Sequence, residues 1–319
     1  MARSLALGLF GLMAMAVADA SMLYRFEGPR GQGWLMGTYH LGDARFGELS
    51  EAIRSRLGRA GKVRTELGLS ATNLLGEIEP EALMLSGDET LATILPPELL
   101  AEFEAEVEAR YPGTPFFVFL RQKIWVALLT FEMLDMLDDP EAFEGGVDEK
   151  IHRYAQSIGA DIAGLETVDE QLAAFEQFSR EDQIAMLRTT LEQSRQQRLE
   201  PGAFDPQEAL LQAYLSQDPE RMRELFAETL PEDSALLERF LDVLLRQRDE
   251  RMAKRIATLA GAFPDEEIFV AVGAAHLDPE TGIPALLAQM GYEVRPLTVE
   301  LFAPSEVARP SGAPSEPAD

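Results

Sequence analysis

The stretch FVAVGAAHLDPETG, Phe269–Gly282, decides the fold. It opens on an apolar run, narrows to a glycine and two alanines, reaches a histidine and ends in a polar turn. An apolar run of this length bounded by a turn reads as a buried strand that stops where the histidine begins. The stretch GWLMGTYHLGD, Gly33–Asp43, repeats the plan. Each copy holds Gly-x-x-His: Gly37-Thr38-Tyr39-His40 and Gly273-Ala274-Ala275-His276. The chain has three histidines, so two of them stand in one repeated context. Gly37 and Gly273 lack side chains, which lets the backbone beside each histidine approach a neighbour closely.

Working outward, Tyr24–Glu27 and Gly33–Tyr39 read as two strands joined by the turn GPRGQG. Phe46–Leu57 is a predicted amphipathic helix. Lys62–Leu67 is a strand carrying Glu66 near its end. Residues 72–245 are mostly helical: apolar positions recur every three or four residues in PPELLAEFEAEVEARY, DEQLAAFEQF and EDQIAMLRTTLEQSRQQRL. Ala160–Leu165 interrupts them as a strand, with Glu166 just beyond. A long helix, Ser234–Leu259, leads into the strand Ile268–Gly273. The helix Gly282–Met290 and the strand Tyr292–Leu297 follow. The expected fold class is α/β: a mixed central sheet in a domain spanning 21–302, with a large, mostly helical insertion at about 72–245.

The 319 residues are 46% hydrophobic and 26% charged, ordinary values for a globular chain. Met1-Ala2-Arg3, the apolar run Leu5–Ala18 and Ala18-Asp19-Ala20 have the parts of a secretory signal peptide, residues 1–20. The expected location is therefore periplasmic or secreted. The run is shorter than the roughly 18 to 20 residues that span a bilayer, so no stable membrane insertion is expected after cleavage. Residues 303–319, rich in Pro, Ser and Ala, read as a disordered tail. The net charge is −27. Removing residues 1–20 takes away one charge of each sign, Arg3 and Asp19, and leaves it unchanged. Such a surface repels phosphate backbones, so nucleic acid is not an expected partner. The absence of cysteine removes disulfides, thiolate ligands and a cysteine nucleophile together. No Gly-x-Ser-x-Gly elbow, His-Glu-x-x-His helix or P-loop occurs.

His40, Glu66, Glu166 and His276 each stand at or just after the end of a predicted strand. In open α/β sheets the carboxyl ends of the strands line the ligand crevice, so residues far apart in sequence converge there. Two imidazoles with one or two carboxylates form a ligand set suited to zinc, manganese, cobalt or iron. A carboxylate left free of the metal can take a proton from bound water. The third histidine, His152, stands four residues from Asp148 on a predicted helix, and the two read as a solvated pair on one face.

Several ordered segments resemble the TraB/GumN family, which includes the Tiki metalloproteases. They are LMGTYHLGD, VRTELG, GGVDEKIHRYA, IAGLETVDEQ, LLRQRDERMAKRI and VAVGAAHL with GYEV, spread over Leu23–Leu297. The resemblance implies a metal-dependent peptidase with His40, His276 and Glu66 at a divalent-metal site, and Glu166 and Arg248 as further matches. The family's Arg-Asn pair is Arg248-Asp249 here, which places a carboxylate beside the expected site. Pro279 stands where the family has a glycine soon after the second histidine.

The expected function is an exported metal-dependent hydrolase that cleaves peptide amide bonds. His40 and His276 bind the metal. Glu66 is the third ligand or the general base, and Glu166 takes the other role. Arg248 orients the peptide or small-molecule substrate. The alternative is a non-enzymatic periplasmic protein that holds a metal, haem or small ligand in the same cleft.

Overall fold

The structure, a computed structural model, describes residues 21–303 apart from 71, 72, 74, 75, 135–141, 143, 144, 201, 203 and 229–233. The expected signal peptide and all but the first residue of the expected tail lie outside the described residues. Six strands form one sheet: β1 (Leu23–Gly28), β2 (Gly31–Thr38), β3 (Lys62–Thr65), β4 (Asp161–Gly164), β5 (Glu267–Gly273) and β6 (Glu293–Pro296). Their order is β4-β3-β5-β2-β1-β6. β4, β3, β5 and β2 run parallel. β1 is antiparallel to both β2 and β6, which makes the sheet mixed, as expected.

The opening stretch supplies the central strand. Ile268–Gly273 is buried at every position. Alternate side chains of a strand point to opposite faces, so both faces of β5 are covered. Phe269 and Val272 are fully buried. Burying a side chain of this kind contributes about 1.5–3 kcal/mol.

Helices α1 (Glu51–Arg59) and α4 (Val147–Ser157) cover β3 and β5, and α10 (Gln247–Ala262) and α11 (Ile283–Gln289) cover β2 and β6. The expected helical insertion divides between cores. Helices α2 (Pro97–Arg110), α3 (Ile124–Met133) and α6 (Arg180–Leu199) share an apolar cluster built on Phe103, Phe131 and Leu187. Helix α5 (Val168–Phe175), helix α9 (Ser234–Leu241) and the segment after α9 enclose a smaller one around Phe178 and Leu244. By contrast α4, with Val147 and Ile151, belongs to the core under the sheet. So do α7 (Pro206–Leu215), with Tyr214, and α8 (Pro219–Glu228), with Met222.

Apolar periodicity predicted one helix across Ser234–Leu259. The structure instead interposes a π-helical turn, Asp242–Arg246, between α9 and α10. The wider turn shifts the helical phase and buries Val243, Leu244 and Leu245 together. Such turns interrupt an α-helix without ending it, so the spacing of apolar residues does not reveal them. Among the described residues no helix is long and apolar enough to cross a membrane.

Candidate functional site

The four parallel strands all end at one edge of the sheet. His40 stands two residues beyond β2, Glu66 immediately beyond β3 and Glu166 two residues beyond β4. His276 lies on a single 3-10 turn, Ala274–Leu277, directly after β5. Backbone pairing continues past the last ladder residues of β3 and β4. Leu165 N donates to Thr65 O (2.8 Å) and Glu166 N to Glu66 O (2.7 Å), which sets the two glutamates side by side.

Glu66 is the hub. Its Oε1 accepts the Gly273 backbone N–H at 2.6 Å. It also faces His40 Nε2 at 3.9 Å and His276 Nε2 at 3.8 Å. Its Oε2 accepts Arg248 Nη2 at 2.5 Å and Gln171 Nε2 at 3.1 Å. A Cβ at position 273 would stand 3.1 Å from Glu66 Oε1 and 3.3 Å from His40 Nε2. Gly273 therefore forms the floor of the cluster, and any side chain there would crowd two of its polar atoms.

Each imidazole has a carboxylate behind it. His276 Nδ1 stands 2.6 Å from Asp249 Oδ1, and both side chains are nearly closed off from solvent. His40 Nδ1 stands 3.3 Å from Asp148 Oδ1. An ionised carboxylate only accepts, so this pairing keeps a ring proton on Nδ1 and turns Nε2 toward Glu66. The two rings differ in access: the His40 side chain is 60% exposed and that of His276 is 4% exposed. The cluster opens to solvent at His40. Asp148 reaches His40 because the start of α4 lies against the backbone of β2's extension. Val147 N donates to Tyr39 O at 2.8 Å. A Cβ on Gly146 would lie 2.2 Å from His40 O, so the approach needs glycine.

The electrostatics follow from this packing. Asp148 beside it pushes the His40 imidazole up to about 9. Burial works to raise the Glu66 carboxyl, but His276, Arg248 and His40 outweigh it and hold the group well below the usual carboxylate range. Burial likewise pushes the Asp249 carboxyl up, against the pull of His276. Burial disfavours the Arg248 charge, yet Glu66 and Glu166 more than offset it and raise its pKa.

Glu166 has a different setting from the one expected. Its Oε2 accepts from Arg248 Nε at 2.9 Å, and its Oε1 from Arg251 Nη2 at 3.0 Å. Both oxygens are engaged by arginines and the side chain is fully buried. Arg248 thus bridges Glu66 and Glu166, and it pairs with these two acids rather than with Asp249 or Glu250. His152 does not meet Asp148 as a solvated pair. It is buried, and Asp148 faces His40 instead. Sequence reasoning also missed the part played by Asp249 and Gln171. The Arg248-Asp249 departure was the visible signal for Asp249, since adjacent helical positions point to different neighbours. Nothing in the spacing signalled Gln171. The Pro279 loop is held by Asp278, whose Oδ1 accepts from Glu280 N (3.0 Å), Thr281 N (2.7 Å) and Thr281 Oγ1 (2.8 Å).

The donor types suit a divalent metal chemically: two imidazole Nε2 atoms and a carboxylate oxygen, with the His276 ring braced at Nδ1. Two ligands bonded to one ion at about 2.1 Å stand at most about 4.2 Å apart. The 3.8 and 3.9 Å separations fall inside that limit and are too long for hydrogen bonds. Among the described residues, no group of three or more histidine, aspartate or glutamate side chains is placed so that it could hold a metal ion.

The sequence matches the model of the TraB/PrgY/gumN family over residues 22–296. The chain belongs to this family. Curated relatives are named metalloproteases. Metalloprotease TIKI2 of Danio rerio is 23% identical over 317 residues, covering 86% of this chain and 60% of that protein. Metalloprotease TIKI1 of Homo sapiens is 27% identical over 194 residues, covering 54% of this chain and 37% of that protein. Metalloprotease TIKI2 of Xenopus tropicalis is 26% identical over 194 residues, covering 54% of this chain and 36% of that protein. This chain thus spans less than two thirds of the length of these relatives. No solved structure matches it.

Proposed function

We propose that this family member is a metal-dependent peptidase acting at the carboxyl edge of its parallel strands. One observation carries the reading: two imidazole Nε2 atoms face the same Glu66 oxygen at 3.8 and 3.9 Å, each ring with an aspartate beside its Nδ1. The names of the relatives support the same reaction class. His40, His276 and Glu66 would hold the ion, whether zinc, manganese, cobalt or iron. Bound there, a divalent ion would supply Lewis-acid polarisation of a peptide carbonyl and a more acidic water.

The chain's own residues do the rest. Gly273 N–H, Gln171 and Arg248 fix both oxygens of Glu66, which suits a ligand held in one orientation rather than a base that must move. Glu166 and Arg251 hold Arg248 in place, so Glu166 acts as a positioning residue instead of the base or ligand first expected. Arg248 spends its donors on Glu66, Glu166 and the Leu244 carbonyl, so it orients Glu66 more directly than it orients a substrate. His40, on the exposed side, marks where a peptide enters. The Arg3, Leu5–Ala18 and Ala18-Asp19-Ala20 pattern supports export of the mature chain.

Metal analysis of the purified chain tests the site, with cleavage of a mixed peptide library as the second readout. About one ion per chain is expected, with loss of metal and of cleavage in His40→Ala and His276→Ala. Equal metal content in wild type and both variants would sink the proposal. Bound metal without cleavage of any peptide would favour the non-enzymatic binding protein instead.

A further inference from the structure

A cavity of about 550 Å³ lies among the helices beside the site. Trp125, Phe175, Phe178, Met186, Phe240 and Leu244 form its apolar walls. The Trp125 ring lies flat on Phe175, with centroids 4.9 Å apart and planes 11° from parallel. Trp125 Nε1 donates to Glu176 Oε1 at 2.8 Å, which holds the indole in this pose. Size and lining both suit a ligand site, since such pockets hold about 300–1,000 Å³ and combine mostly apolar walls with a few polar groups.

Two elements join the cavity to the Glu66 cluster. On α5, Gln171 donates to Glu66, and Phe175 one turn later lines the cavity. In the π-turn, Leu244 lines the cavity while its carbonyl accepts from Arg248 Nη1 at 3.3 Å. One helical turn advances about 5.4 Å, and an extended peptide advances about 3.3 Å per residue. The cavity therefore begins one turn along α5 from the glutamine that binds Glu66.

The polar groups of the lining narrow the occupant. Thr189, Gln193 and Gln197 recur at every fourth position of α6, so they share one face of that helix and form a stripe along one wall. Their spacing of about 6 Å is close to two residues of an extended peptide. Gln193 is already engaged, but the Gln197 amide both donates and accepts, as peptide groups require, whereas a hydrocarbon chain would strip water from it without return. The charged groups of the lining already have partners. Arg110 donates to Ser194 Oγ, Asp205 caps α7 through the Gln207 and Glu208 N–H groups, and Glu132 is also engaged.

We propose that this cavity is a subsite for an uncharged peptide segment bearing a large apolar side chain, seated beside the Glu66 cluster. Its place as a substrate subsite rests on the peptidase reading, but the binding itself is measurable without turnover.

The test uses the full chain and blocked hexapeptide amides of glycine and serine with a single Phe, Leu, Ala or Glu at the third position. Calorimetry on wild type should show the Phe and Leu peptides binding at least tenfold tighter than the Ala and Glu peptides. Trp125 emission should change on binding, and the change should vanish in Trp125→Phe. Thr190→Phe and Met186→Trp, which fill the cavity, should remove the preference while far-UV circular dichroism stays native. Equal binding of all four peptides overturns the proposal, as does a preference that survives in the filled variants. Binding of decanoate without binding of the Phe peptide also overturns it. If both filled variants misfold, the wild-type comparison and Trp125→Phe still decide. Cleavage with no apolar preference would overturn the subsite and leave the peptidase reading standing. Apolar binding by a metal-loaded chain that cleaves nothing would do the reverse.

Discussion

Replacing Arg248 with methionine removes the cation that bridges Glu66 and Glu166 and keeps most of the side chain's length. In the native site Arg248 lies 2.5 Å from Glu66 and 2.8 Å from Glu166, with side-chain exposures of 13%, 11% and 0%. Breaking a buried ion pair on one side costs about 3–5 kcal/mol, because the remaining charge stays desolvated without its partner. Arg251 still holds one oxygen of Glu166, and Gln171 and Gly273 still bind Glu66. The expected loss is therefore at the lower end, about 3 kcal/mol. Urea unfolding followed by far-UV circular dichroism measures it. Glu66→Gln removes one of the stranded charges, so Arg248→Met made in that background should cost less by about 0.5–3 kcal/mol. An Arg248→Met loss under about 1 kcal/mol, or no coupling with Glu66→Gln, would refute the claim that this arginine holds the cluster together.

The remaining expectations concern the braces, a close approach and pH. Asp249→Ala should weaken metal affinity about 10–100-fold, the usual effect of losing a group that orients a ligand. Asp249→Asn keeps an acceptor for His276 Nδ1 and should lose less than the alanine variant in the same metal titration. Gly146→Ala forces a Cβ to within 2.2 Å of His40 O, and overpacking of this kind costs about 1–3 kcal/mol in urea unfolding. It should also lower metal affinity, since it displaces Asp148 from His40. Arg255 beside it holds the Glu170 carboxyl down to about 2, below an unfolded value of about 4.3. Its contribution to stability is present above the unfolded value and lost as pH falls toward 2. Glu170→Gln should flatten that part of the stability-against-pH curve; an unchanged curve between pH 2 and 5 would contradict the assignment.

Much of the fold was legible because strand and helix periods are local properties. The apolar run before Gly273 marked the central strand, and all six strands fall within a few residues of their expected bounds. The four strand-end residues were legible as a set for the same reason: a parallel sheet brings its carboxyl ends to one edge. Roles within that set were not. Glu66 and Glu166 look alike in sequence, each just past a short strand, yet one faces two imidazoles and the other is enclosed by two arginines.

The sequence by itself determined the class of the fold, and the sheet edge where His40, Glu66, Glu166 and His276 gather, since both follow from hydrophobic period and from the ends of strands. Only the tertiary structure decided which partner each polar group takes. Asp148 turns to His40 rather than His152, Asp249 supports His276, and Arg248 ties two glutamates together. Those choices depend on a π-turn that resets the phase of a helix and on glycines that let separate backbones touch. Neither has a period in the sequence, because both go with contacts between segments far apart along the chain.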